Sequence, residues 1–382
     1  PDTYNNLAIT FYNLGRYEEA IKTSKEALKI DKNFVQAYGS LADSLKATNK
    51  YQDAILYLKQ AIKLEPNKVE THTSLADLFH KIGKLDDALY TYENAIKLNS
   101  NYYPAYLNKA IVLNDMGRFF DAMDVYNQVI KIKPDLAISY FNLANVQKKL
   151  NNVEDAVTNY QKALEFNPNL TDAHYNLANT FANIGQLKKA DQSYDKALKI
   201  NPKNPKIWSN KLLNLNYNEN FSSEYIFNQH RLFDKQFSFL NKNKNNIKNK
   251  NDRLRVGYVS SDFRKHSVAY FIKALLKNHN RRLIETFCYY NNYIIDETTE
   301  LLKTYCENWR SIFEMDDKDV FRKIKDDSID ILVDLSGHTP GNKLLVFALK
   351  AAPIQITYLG YPNTTGLSTM DYRLTDKYAD PG

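Results

Sequence analysis

The sequence predicts an all-α repeat superhelix running into a Rossmann-like α/β lobe. Three observations carry this expectation. Small and aromatic residues recur every 34 positions through residues 1–204. From Leu254 onward, apolar β-rich runs alternate with helical patterns. Between the two regimes lies a stretch of almost only Asn and Lys.

The bulk properties set the frame. The 382 residues are 43% hydrophobic and 25% charged, ordinary for a soluble globular chain of two or three domains. No apolar run approaches the ~20 residues of a helical membrane span. The net charge of +7 is concentrated at Lys242, Lys244, Lys248, Lys250, Arg253 and Arg255, against Asp252. The remainder is close to neutral, which argues against a nucleic-acid face. The two cysteines, Cys288 and Cys306, lack metal-type spacing and fit a reducing compartment. The chain opens at Pro1 in phase with a repeat, so it is read as an internal stretch, and an upstream targeting segment stays open.

The repeat elements follow from spacing. Ala8, Ala42, Ala76, Ala110, Ala144 and Ala178 occupy one position, and Ala20, Ala54, Ala88, Ala122, Ala156 and Ala190 another. Small residues there let two antiparallel helices approach. Tyr4, Tyr38, His72, Tyr106, Tyr140, His174 and Trp208 supply bulk between repeats. Pro66, Pro134, Pro168 and Pro202 end repeats, with Lys32 and Ser100 in the same place. A period of 34 residues with this code is that of tetratricopeptide repeats, six of them over 1–204. One repeat cannot bury its own apolar face, so stacking makes the core.

A third periodic position suggests a binding surface. Asn6, Asn108, Asn142, Asn176 and Asn210 share it, with Ser40 and Ser74 in the gaps. An amide offers a donor and an acceptor, so a ladder of Asn on the first helices would hold an extended acceptor polypeptide by its backbone. The competing reading is that these amides cap or bridge within the array. Asp43 and Asp77 would bias such a groove toward basic or hydroxylic peptides, or else are solvated surface.

Residues 205–238 keep apolar periodicity without the repeat code and are read as a capping helical segment. Residues 239–253 are read as a surface loop, because Asn and Lys cannot pack a core. In 254–382 the β-rich runs are Leu254–Val259, Ile284–Tyr290, Ser311–Phe313, Ile329–Leu335 and Ile354–Leu359, with helices between them. That alternation implies a parallel sheet covered on both faces. Ligands of such sheets gather at the carboxyl ends of the strands. The turns there are Ser260–His266, Ser336–Asn342 and Gly360–Gly366. None is GxGxxG, so a dinucleotide site has no support. His266 opens a helix, whose N-terminus favours a neutral imidazole able to accept a proton; structural capping is the alternative. His338 carries the same argument more weakly. Asp317-Lys318-Asp319 looks like a metal-binding Asp-x-Asp but reads as helix capping.

Leu254–Ile272 (LRVGYVSSDFRKHSVAYFI), Ile331–Leu344 (ILVDLSGHTPGNKL) and Ala352–Leu367 (APIQITYLGYPNTTGL) resemble the amino-terminal catalytic lobe of the nucleocytoplasmic protein O-glycosyltransferases. These are the O-GlcNAc transferases and the SPINDLY protein O-fucosyltransferases, in which repeats also precede this lobe. The resemblance implies a two-lobed GT-B fold. It implies inverting transfer of one sugar from a nucleotide sugar to protein Ser/Thr, without a metal or other cofactor. His266 matches the active-site His. Leu359, Gly360 and Pro362 match the loop beside the donor sugar, with Asn363, Thr364 and Thr365 extending that wall and His338 and Thr339 on the same donor side. The wording of the motifs leans toward SPINDLY, so GDP-fucose is the expected donor. UDP-GlcNAc is the alternative, and a non-catalytic repeat scaffold a further one. Expected partners are Ser/Thr-containing proteins along the repeat groove, with no nucleic acid or membrane, and a homodimer through the repeats is open. The expected location is cytoplasmic or nuclear. The diphosphate is expected chiefly on the second lobe, which does not precede Gly382, so this stretch alone is expected to be inactive.

Overall fold

The computed structural model describes residues 1–237 and 253–376. The Asn/Lys-rich segment 239–253 lies outside the described residues except for Arg253. The chain divides into two compact units, Pro1–Ala173 and His174 onward.

The first unit is built of antiparallel helix pairs: α1 (Asp2–Asn13) with α2 (Tyr17–Ile30), α3 (Val35–Ala47) with α4 (Tyr51–Leu64), and α5 (Val69–Lys81) with α6 (Leu85–Leu98). Next come α7 (Tyr103–Asp115) with α8 (Phe119–Ile132), and α9 (Ala137–Lys149) with α10 (Val153–Phe166). The periodic alanines are buried as expected, Ala20, Ala54, Ala88, Ala122 and Ala156 completely so. The aromatic position does more than fill space. Tyr38 donates to the Lys32 carbonyl at 2.9 Å, His72 Nε2 to that of Pro66 at 2.8 Å and Tyr140 to that of Pro134 at 2.9 Å. Tyr, His and Trp interchange there because each combines an apolar body with a donor, and that donor satisfies a carbonyl left open where the preceding helix ends. The turn inside each pair reverses through one left-handed residue: Gly15 (φ 73), Asn49 (φ 59), Gly83 (φ 76), Gly117 (φ 74) and Asn151 (φ 62).

The unit boundary falls in the first turn of α11 (Thr171–Asn183), and the second unit goes on with α12 (Leu187–Ile200), α13 (Pro205–Leu215) and α14 (Ser223–Phe237). Asn204 caps α13 by accepting from the Lys206 and Ile207 amides, and Pro205 takes the first helical position. The α/β part follows as β1 (Leu254–Ser260), α15 (Ser267–Asn278), β2 (Ile284–Tyr290), α16 (Glu297–Tyr305), β3 (Asn308–Ser311), α17 (Asp317–Asp326), β4 (Ile331–Asp334), α18 (Leu344–Ala348), β5 (Ile354–Tyr358) and β6 (Tyr372–Leu374). The strands are parallel in the order β3-β2-β1-β4-β5-β6. The order reverses between β1 and β4, which is the switch point of a doubly wound sheet. The third strand is Asn308–Ser311 rather than Ser311–Phe313, since Trp309 pairs with Cys288 and the chain turns at Glu314 (φ 65).

Side chains alternate across the sheet. Val256, Tyr258, Cys288 and Tyr290 face a core with Val268, Ile272, Leu276 and Leu302 of α15 and α16. Val259, Phe287, Tyr289 and Leu332 face the other, with Val320 and Ile324 of α17 and Phe347 of α18. Leu212 and Leu215 of α13 and Phe233 and Phe237 of α14 belong to this second core. Residues 205–237 therefore do more than close the repeats: they supply part of the lobe's interior.

Candidate active site

The turn after β1 ends in His266, whose extended backbone (φ −155, ψ 155) makes it the N-cap of α15. Its Nδ1 accepts from the Val268 amide at 3.3 Å and lies 4.0 Å from Asp262 Oδ2. The imidazole is exposed, with 39% of the side chain's surface open to solvent. The two neighbours favour opposite tautomers. The Val268 N–H requires a bare Nδ1 and puts the proton on Nε2; Asp262 favours Nδ1–H and leaves Nε2 basic. Asp262 is itself buried, with Ser261 Oγ donating to it at 3.2 Å and Arg264 at 3.4 Å. Sequence reasoning missed Asp262, although its place four residues before His266 was the available signal.

The turn after β4 is held from below by Asp334. Its buried carboxylate accepts from the Ser336 amide at 3.1 Å, the Gly337 amide at 2.9 Å and Thr357 Oγ1 at 3.0 Å. Burial raises its pKa, and those three bonds oppose the rise. This turn meets the first one: Ser261 Oγ donates to the Pro340 carbonyl at 3.1 Å. It meets the third through Gly337 (φ 54), where a Cβ would lie 2.2 Å from Tyr361 Cβ. All three turns thus converge on one edge of the sheet.

His338 is corrected by the structure. It is fully buried, Nε2 bonding the Thr365 carbonyl at 2.9 Å and Nδ1 the Ser209 hydroxyl at 3.1 Å. Both ring nitrogens are committed, so none is left for a donor sugar. Burial, with His230 nearby, pushes its pKa down to about 3. Thr339 is half-buried and lines a cavity of about 280 Å³ with Tyr175, Lys206, Asn210 and Lys343. Asp317 lines it too and pairs with Lys343 at 3.2 Å, while Asp316 caps α17 by accepting from the Asp319 amide.

In the third turn the residues divide. Leu359 (φ 68) and Pro362 are exposed and line a cavity of about 380 Å³ with Phe271, Tyr358 and Arg373. Gly360 contributes through its missing Cβ, which would sit 1.7 Å from the Leu335 carbonyl oxygen. Asn363, Thr364 and Thr365 do not extend that wall. Asn363 donates to Asn216 at 2.9 Å, Thr364 Oγ1 accepts from the Gly366 amide at 3.1 Å, and Thr365 is buried.

The Asn ladder is also rearranged. Asn108 Nδ2 donates to Asp77 at 2.9 Å, and Asp77 also accepts from Tyr92. Asn210 donates to Asn179 and to the Tyr175 hydroxyl, each at 2.9 Å, and Tyr194 donates to the same Asn179 oxygen. These amides bridge adjacent helix pairs, Asn210 with both of its amide hydrogens and Asn108 with one of its two. At Asn142 the bridging place is taken by Ile111, which offers no acceptor. Asn6 is exposed and Asn176 half-buried. Asp43 is solvent-exposed, yet protein crowding around it raises its pKa, against Lys46 and together with Asp77.

Comparison with known proteins fits this geometry. Residues 226–382 match the model of glycosyl transferase family 41, a match that begins inside α14. Tetratricopeptide models match 1–67, 40–102, 112–151, 148–185 and 171–204. The Petunia hybrida protein named "Probable UDP-N-acetylglucosamine--peptide N-acetylglucosaminyltransferase SPINDLY" is 39% identical over 179 residues, 45% of this chain and 19% of that protein. The Arabidopsis thaliana relative of the same description ending in SEC is 36% identical over 132 residues, 34% of this chain and 13% of that protein. A solved Thermobaculum terrenum O-GlcNAc transferase mutant superposes with a TM-score of 0.60 at 28% identity, covering 72% of this chain and 53% of that one. The chain spans about a fifth of the length of the curated relatives it matches. With repeats of this period running into a lobe that matches glycosyl transferase family 41 over residues 226–382, the chain is similar to the SPINDLY and O-GlcNAc transferase glycosyltransferases.

Proposed function

We propose that the protein to which this chain belongs transfers one sugar from a nucleotide sugar to Ser/Thr hydroxyls of cytoplasmic and nuclear proteins. The observation that carries the reading is His266 at the switch-point edge, exposed at a helix N-terminus and backed by Asp262, on the edge where the Leu359–Pro362 turn also lies. In the Asp262-facing tautomer, Nε2 takes the acceptor hydroxyl proton as that oxygen bonds to the anomeric carbon. The bond from that carbon to the diphosphate oxygen breaks, and the nucleoside diphosphate leaves with the electron pair. The resemblance implies no metal in this step. The repeats supply the acceptor site, through the side-chain amides of Asn108, Asn210 and Asn142.

The donor we propose is GDP-fucose, in keeping with the SPINDLY-like wording of the three motifs. The second reading is UDP-GlcNAc, favoured by the descriptions that the relatives carry. Intact-mass analysis of a Ser/Thr-rich acceptor after incubation with the full-length enzyme and each donor tests both. A gain of one deoxyhexose supports the first and a gain of one N-acetylhexosamine the second. No gain with either leaves a repeat scaffold as the better account.

A further inference from the structure

The Tyr361 hydroxyl sits at the centre of a buried relay between the donor-side turn and the helix pair α13–α14. Tyr361 is 6% exposed. Asn216, at the end of α13, donates to its oxygen at 2.7 Å. His230 Nε2, on α14, lies 2.8 Å from the same oxygen. The direction of each bond is fixed by the far side of the imidazole. His230 Nδ1 is 2.7 Å from the Ile226 carbonyl, which only accepts, so Nδ1 carries the proton and Nε2 is bare. Tyr361 therefore donates to His230 and accepts from Asn216.

The same helix pair grips the turn on both sides of this point. Asn216 Oδ1 accepts from Asn363 at 2.9 Å. Asp234 accepts from the Ser368 amide at 2.9 Å and its hydroxyl at 3.0 Å. Gly366 (φ 77) passes so close that a Cβ would lie 2.1 Å from the His230 carbonyl oxygen. The chain between β5 and Tyr361 is only Leu359 and Gly360, one in the left-handed region and the other pressed on Leu335. It has no slack to absorb a shift of Tyr361, so where that ring sits decides where Leu359 and Pro362 sit.

We propose that Asn216 and His230 are positioning residues for the donor-side turn Leu359–Pro362, acting through the Tyr361 hydroxyl. The claim rests on the glycosyltransferase reading for its kinetic consequence, and on the geometry alone for its structural one. Tyr361→Phe keeps the ring and removes the relay. His230→Gln keeps an acceptor for Tyr361 and serves as the conservative companion.

In the full-length enzyme, Tyr361→Phe is expected to raise the nucleotide-sugar KM about tenfold, the effect of one lost buried hydrogen bond, and to leave the acceptor KM within about twofold. His230→Gln is expected to keep the donor KM near wild type. An unchanged donor KM in Tyr361→Phe overturns the proposal, as does a joint loss of donor and acceptor use together with a lowered Tm. Amide hydrogen exchange across residues 359–366, measured on the same proteins, needs no turnover and is expected to be at least about tenfold faster in Tyr361→Phe. If the wild-type enzyme transfers neither sugar, the functional reading fails. The positioning claim then stands on faster exchange and falls on unchanged exchange.

Discussion

His230 and His338 stack edge to face at 5.4 Å inside the second unit, each held neutral by burial. Their pKa values fall from the ordinary 6.5 to about 4 and about 3. Below pH 6.5 the unfolded chain therefore takes up protons that the folded one refuses. Folding stability should fall as the pH drops from about 6.5 toward 4, with a slope of up to about 1.4 kcal/mol per pH unit for each histidine. Urea midpoints at pH 7 and pH 5 measure the drop, and His230→Gln should make it shallower. His266 is the opposite kind of histidine: exposed, capping a helix, with a carboxylate behind it. Asp262→Asn should lower kcat of the full-length enzyme about tenfold or more by removing the partner that keeps Nε2 basic. Equal kcat and an unshifted pH–rate profile would remove Asp262 from the mechanism. The sequence shows both His266 and His338 in polar turns at strand ends. Only packing separates them, because Ser209, which is 129 positions away and engages His338, leaves no mark in the local pattern.

At the scale of the element, periodicity was the readable quantity. The 34-residue spacing marks the helix pairs, and the switch to β-rich runs marks the sheet, because both patterns repeat what each backbone buries. The left-handed turn position was equally present in the sequence, as Gly15, Asn49, Gly83, Gly117, Asn151 and Gly185, and its rule is steric. Gly117, with open space around its missing Cβ, tests it. Gly117→Asn should be nearly neutral, whereas Gly117→Ala should cost about 1–2 kcal/mol; thermal melting separates the two. What periodicity concealed was the use of the Asn position. An amide that recurs from repeat to repeat looks like a ligand ladder, but Asn108 and Asn210 each turn an N–H inward, to Asp77 and Asn179. The third strand was misplaced because Asn308–Ser311 is half-buried at best and Trp309 is its one apolar residue, too short a run to show a β pattern.

For the whole molecule, the sequence placed a boundary at the Asn/Lys-rich stretch, since composition changes there. The hydrophobic core places none there. Leu212, Leu215, Phe233 and Phe237 pack with strands that begin only at Leu254. A chain starting at Leu254 should expose that side of the sheet, with a patch large enough to drive aggregation. A chain that starts at His174 should stay monomeric by size-exclusion chromatography under the same conditions. Equal behaviour of the two would show that α13 and α14 are dispensable to the lobe.

The shared core also bears on how such genes diverge. Unequal recombination within the first 173 codons adds or deletes whole 34-residue units and leaves every residue of the lobe's two cores in place. The same event past codon 204 strips Leu212 and Phe233 from its interior. Lineages are therefore expected to differ in the number of upstream repeats and to inherit the last helix pair together with the lobe, as a single heritable block.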